Sequence, residues 1–226
     1  MSDFLSNWDW QGLLILLFSA VAALFCITIH EMSHGYAAYI LGDPTAKDAG
    51  RLSLNPVKHI DLLGFLMMLV AHVGWAKPVP VDPRYFKDPK RGMALTALAG
   101  PVSNFVLAIL VLGVGSLIFR FGLGTEFVAY VLLFLCYTAV LSVGLGLFNL
   151  IPIPPLDGAK IFYAVLSDKL YVTMLRYERY VRFLVLILAW AGVFSGPLDF
   201  CIGKVIRLLC GLTRFPFPLM QYYFGF

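Results

Sequence analysis

The sequence predicts an all-α integral membrane protein, a bundle of about four to six transmembrane helices with a re-entrant or short β-containing segment after the first helix. Three observations predict this. Hydrophobic residues make up 60% of the 226-residue chain, charged residues only 13%, and the mean hydropathy is +0.84. A soluble domain carries about a quarter charged residues, enough to coat a water-facing surface. Residues 12–29, 94–119 and 127–147 hold no Asp, Glu, Lys, Arg or His, and each run approaches or exceeds the roughly 18–25 residues that let a helix span the hydrocarbon core. The charges gather in the segments between these runs rather than spreading along the chain. Without water the backbone must satisfy its own hydrogen bonds, which at these lengths means helices.

The elements follow in order. The first helix is expected over residues 10–40, stopped by Gly42-Asp43-Pro44. This run opens near Asp3 and Asp9 rather than on basic residues, so it reads as a mature helix and not as a cleaved signal peptide. Residues 62–73 are apolar but too short to cross unaided, and read as a re-entrant or interfacial segment. The stretch 75–91, rich in proline and basic residues, reads as a loop or short hairpin. A second helix is expected at 92–119 and a third at 127–150, broken by Pro152, Pro154 and Pro155. A fourth is expected at 183–194, before a tail with an amphipathic stretch around 204–209. No polar stretch approaches the size of a soluble domain, so residues 1–226 read as one polytopic domain, with a core over about 10–165 and C-terminal helices over about 166–226.

Lys and Arg set the orientation. With residues 1–10 outside, the basic segments 43–61, 75–91 and 158–182 are cytoplasmic, which places thirteen of the seventeen positive side chains inside. The net charge of +4 thus belongs to the membrane surface and predicts no nucleic-acid partner. Cys26, Cys136, Cys201 and Cys210 show no CxxC pairing and read as small buried hydrophobes.

His30-Glu31-Met32-Ser33-His34 matches H-E-x-x-H. Side chains four apart on a helix share a face one turn apart, so both imidazoles can reach one zinc ion, and Glu31 can act as general base on its bound water. Ionisable groups at the end of an apolar helix are costly in lipid and point to function. A catalytic zinc has three protein ligands and an open position. Candidates for the third are His59, Asp61 and His72 in the segment after the first helix, and Asp157, which closes a proline-rich break. Asp157 is favoured, because the orientation places that break on the same side of the membrane as His34. One zinc per chain is therefore expected at His30, His34 and Asp157.

These motifs together resemble the site-2 protease family of intramembrane zinc metalloproteases, in its compact form without a PDZ or CBS domain. The resemblance rests on the H-E-x-x-H of His30–His34, on residues 149–158 (NLIPIPPLDG) and on Ala99-Gly100-Pro101-Val102-Ser103-Asn104. Residues 50–56 (GRLSLNP) and 74–81 (GWAKPVPV) add to it, covering about residues 20–165. It implies that His30, His34 and Asp157 bind zinc, that Glu31 is the base, and that Asn149 donates to the tetrahedral oxyanion. Asn104 reads either as a packing residue or as support for the site. The implied activity is peptide-bond hydrolysis in or near transmembrane segments of single-span or membrane-tethered proteins. The implied location is a prokaryotic cell membrane, with the site toward the cytoplasmic side. Short strands within 43–91 would pair with an unwound substrate segment. The alternative is a membrane metal transporter or metal-binding membrane protein using His30, Glu31 and His34 as transit ligands. It would need ionisable groups along a path through the bilayer, and the second and third helices offer none between residues 92 and 119 or 127 and 150.

Overall fold

The computed structural model describes residues 10–71, 74–122, 124–166 and 180–226. Helix α1 (Trp10–Ile40), short α2 (Thr45–Asp48) and α3 (Leu62–Ala71) are followed by the long antiparallel pair α4 (Pro89–Phe121) and α5 (Glu126–Asn149). Then come α6 (Asp157–Tyr163), α7 (Tyr180–Trp190), α8 (Ser195–Thr213) and α9 (Phe217–Phe224). Among the described residues there is no strand beyond a single antiparallel bridge between Ile60 and Ala76. The chain is an all-α membrane bundle.

Among the described residues three helices, α1, α4 and α5, are long and apolar enough to cross a membrane, and α7 with α8 makes a fourth if the bent pair counts as one span. The 24 residues of α5 extend about 36 Å, more than the roughly 30 Å hydrocarbon core. The 10 residues of α3 reach only about 15 Å, so α3 cannot cross, as its length in the sequence implies.

Local signals explain the boundaries. Helix α1 ends where Gly42 takes φ +105° and the Asp43 N–H returns to the Ala38 carbonyl. Asp88 caps α4 by accepting from the Arg91 N–H, with Pro89 in the first turn. Thr125 caps α5 in the same way through the Val128 N–H.

Helix α4 is two-faced. Gly100, Asn104, Leu107, Ala108, Val111, Leu112 and Gly115 are buried, spaced as one helical stripe toward α1 and α5. Val102, Val106, Leu110, Val114 and Leu117 are exposed on the other side, the face such a helix offers to lipid. Between the long helices the contacts use small residues and short polar links, as expected where lipid supplies no hydrophobic drive. The Ser142 hydroxyl donates to the Asn104 carbonyl at 2.8 Å, and the Cys26 thiol lies 3.5 Å from the Thr138 carbonyl.

The C-terminal part differs from expectation. The fourth helix, expected at 183–194, is α7, which ends at Trp190; after a turn through Gly192 at φ +73°, the longer α8 leaves at 78°. Asp199, Lys204 and Arg207 lower the hydropathy of α8, so that only its amphipathic part around 204–209 stands out in the sequence, yet they sit on its exposed face. Ile202, Ile206, Leu209 and Cys210 form its buried stripe and join the core cluster with residues of α4 and α5. Cys26, Cys136 and Cys210 are buried free thiols, and Cys201 is exposed.

Candidate metal centre

His30, Glu31 and His34 lie near the end of α1, and α6 brings Asp157 to them from the far side of the proline break. Gly158 makes this approach possible. A Cβ there would strike the Leu150 and Ile151 carbonyls, so only glycine lets the start of α6 fold back onto the end of α5. Asp157, at the first position of α6, is buried. His30 Nε2 and Asp157 Oδ2 are 3.1 Å apart, and His34 Nε2 lies 3.0 Å from the same oxygen. The ligating atoms of His30, His34 and Asp157 all fall within 4.8 Å of one another. All three residues are buried, at 4%, 8% and 5% exposure, so water does little to screen their charges.

Helix α4 closes the third side. His34 Nδ1 lies 2.7 Å from the Thr96 carbonyl. A carbonyl only accepts, so Nδ1 carries the hydrogen and the neutral ring keeps its Nε2 lone pair. Pro101, which has no N–H for the turn before it, lies within α4 just beyond. One turn along from Thr96, Gly100 abuts both imidazoles, and a Cβ on it would overlap the rings of His34 and His30.

This donor set fits a divalent zinc. His34 Nε2 presents a lone pair to a carboxylate oxygen at 3.0 Å, an arrangement that is favourable only with positive charge, a proton or a cation, between them. Two imidazole nitrogens and one carboxylate oxygen are an ordinary catalytic zinc set. Burial opposes ionisation of Asp157, but positive charge held between it and the two imidazoles, together with the charge of Lys160, holds the carboxyl well below the usual range. The Lys160 ammonium lies 3.3 Å from Oδ1, the oxygen turned away from the imidazoles.

The other candidates have separate positions. Half-buried Glu31 accepts the Val79 N–H at 3.1 Å. Asn149 donates through Nδ2 to the Leu145 carbonyl one turn back on α5, at 2.9 Å. Buried Asn104 lies one turn beyond Gly100 on α4, and neither its amide oxygen nor its amide nitrogen has a hydrogen-bond partner. His59 places Nε2 2.8 Å from the Ser53 carbonyl, and Asp61 caps α3 by accepting the Gly64 N–H at 2.9 Å. Both belong to the segment after α1 rather than to the cluster of ligating atoms. His72 lies outside the described residues. Sequence reasoning missed Thr96, Val79 and Lys160. Only Lys160 left a trace, three residues after Asp157 and so on the same side of α6; a backbone carbonyl or amide as partner leaves none.

A helical membrane bundle with two H-E-x-x-H imidazoles against a buried aspartate defines a class, the membrane metalloproteases. Comparison with known proteins names the family. The family model "Peptidase family M50" matches residues 117–191. A relative from Bacillus subtilis (strain 168), named "Putative zinc metalloprotease YwhC", is 38% identical over 191 residues, covering 82% of this chain and 86% of its own. Rip2 of Mycolicibacterium smegmatis, which carries the same description, is 30% identical over 168 residues, or 70% of this chain and 60% of its own length. "Zinc metalloprotease MJ0392" of Methanocaldococcus jannaschii is 30% identical over 160 residues, covering 71% of this chain and 36% of its own. No solved structure matches the chain. The chain belongs to peptidase family M50, the site-2 protease family, and its cofactor is zinc.

Proposed function

We propose that this metalloprotease cuts peptide bonds in or beside transmembrane segments of membrane-anchored proteins, from a site that opens toward the cytoplasm. The observation that carries the reading is the meeting of His30 Nε2, His34 Nε2 and Asp157 Oδ2 at the end of an apolar helix. Buried ionisable groups at membrane depth are costly and mark function. The orientation follows from the basic residues at 43–61, 75–91 and 158–182. The reading treats residues 1–226 as one polytopic protease domain, with α8 and α9 packed onto its core.

His30, His34 and Asp157 would hold one zinc ion. When bound, zinc lowers the pKa of a coordinated water to about 7 and polarises the scissile carbonyl. The remaining steps belong to the chain. Thr96 holds the His34 ring so that Nε2 keeps its lone pair. Lys160 engages the outer carboxylate oxygen of Asp157 and leaves Oδ2 for the centre. Glu31 takes a proton from the attacking water and returns it to the leaving nitrogen. Asn149 commits one N–H to Leu145, and its second N–H is a donor for the oxyanion. A helical substrate must unwind before its carbonyl can be attacked.

Purified protein in lipid vesicles with single-span candidate substrates tests this. Cleavage inside or next to the span, lost on chelation and restored by zinc, is expected. Cleavage confined to soluble peptides, or untouched by chelation, would overturn the reading.

A further inference from the structure

Two sequence stretches carry no role in the chemistry so far, residues 50–56 and 74–81, and the structure joins them. Arg51 is buried, at 7% exposure. A buried guanidinium is destabilising unless its N–H groups are engaged. Its Nη2 and Nη1 donate to two consecutive carbonyls, Lys77 at 2.6 Å and Pro78 at 3.3 Å, while the buried Nε has no hydrogen-bond partner. The Pro78 carbonyl belongs to the same peptide group as the Val79 N–H, which donates to Glu31 Oε2 at 3.1 Å. One peptide unit therefore receives a cation at its oxygen and offers its hydrogen to the carboxylate of the base. Hydrogen bonds chained through a peptide polarise one another, so the arginine strengthens and aims the bond to Glu31 without touching it.

The rest of the strap is fixed in register. The Lys77 N–H donates to the His59 carbonyl at 2.9 Å, and the Asp82 N–H donates to fully buried Asp43 at 2.8 Å. Gly35, one turn after Glu31 on α1, is in close contact with the strap: a Cβ there would press on the side chains of Leu52, Ala46 and Val79. The strap thus lies directly on the helix that carries the base.

We propose that Arg51 is a positioning residue for Glu31, acting through the Pro78–Val79 peptide group. The proposal rests on Glu31 being the base.

Zinc content, kcat and KM for Arg51→Gln, Arg51→Lys, Val79→Pro and Val79→Ala test it, with amide hydrogen exchange of the zinc-free proteins. Losing a hydrogen bond to a charged group should lower kcat by about 10–100-fold in Arg51→Gln, with zinc content and KM near wild type. Exchange should rise in residues 74–82 and stay unchanged in α1. Arg51→Lys, which can still donate to one carbonyl, should recover part of the rate. Val79→Pro removes the N–H and should be slow, whereas Val79→Ala keeps it and should be faster than Val79→Pro. The double variant Arg51→Gln/Val79→Pro should be no slower than Val79→Pro alone, because both act on one path. Unchanged kcat in Arg51→Gln, loss of zinc with exchange spreading into α1, a Val79→Ala no faster than Val79→Pro, or rate losses that multiply in the double variant would each overturn the proposal. The two readings fail differently. A fully active Glu31→Gln sinks the catalytic reading, whereas an inactive Glu31→Gln beside a fully active Arg51→Gln sinks only this one.

Discussion

Gly100 of α4 lies against the edge of the His34 imidazole so closely that a methyl group at its Cα would overlap ring atoms Cε1 and Nε2. The same methyl would overlap the His30 ring. Helix α4 thus packs on the H-E-x-x-H turn through a missing side chain, at the depth where Thr96 orients His34. Gly100→Ala should displace both imidazoles and weaken zinc binding by at least tenfold, read by competition with a chelating dye. Gly113 of the same helix faces open space, so Gly113→Ala should retain zinc and activity and change stability by no more than about 1 kcal/mol. Equal zinc affinity in the two variants would remove Gly100 from the site.

Glu31 separates metal binding from proton transfer. Glu31→Gln keeps the size of the side chain and leaves both imidazoles in place, and its amide can still accept the Val79 N–H. Zinc content should stay near wild type while kcat falls by about 10²–10⁴-fold, the usual cost of losing a general base. Turnover at the wild-type rate would rule out Glu31 as the base.

Topology follows from the charge distribution. Lys87 precedes α4, and Glu126 opens α5 at the opposite end of the antiparallel pair. Single cysteines at these two positions should react with a membrane-impermeant thiol reagent from opposite sides of sealed vesicles, Lys87→Cys from the cytoplasmic side. Labelling of both from one side would contradict the span assignment of α4 and α5.

Parts of this molecule are legible in its sequence for specific physical reasons. The positions of α1, α4 and α5 follow from apolar length and the end of α1 from the Gly42 turn, whereas α4 begins at Pro89, before the expected start at 92, because the charged Lys90 and Arg91 of its first turn break the apolar run. The pair His30 and His34 follows from helical repeat, and Asp157 from the proline break that precedes it. The helix α8 was not legible as part of the core, because its exposed Asp199, Lys204 and Arg207 mask a buried stripe one helix face wide. The strap contacts were not legible either. Arg51 binds main-chain carbonyls, and nothing in the identity of Lys77 or Pro78 signals such a bond.

Zinc stoichiometry of the purified Asp157 variants decides whether Asp157 completes a three-ligand zinc site with His30 and His34. Asp157→Ala removes the carboxylate, and Asp157→Asn keeps its shape but replaces one oxygen with an amide nitrogen and removes the charge. Loss of coordination energy should weaken zinc binding as well as catalysis. The wild type should carry one zinc per chain, both Asp157 variants should lose most of it after dialysis against a mild chelator, and Asp61→Ala and His59→Ala should keep it. An Asp157→Ala protein that holds zinc as tightly as wild type would leave Asp157 a turn residue only and return the third ligand to His59, Asp61 or His72.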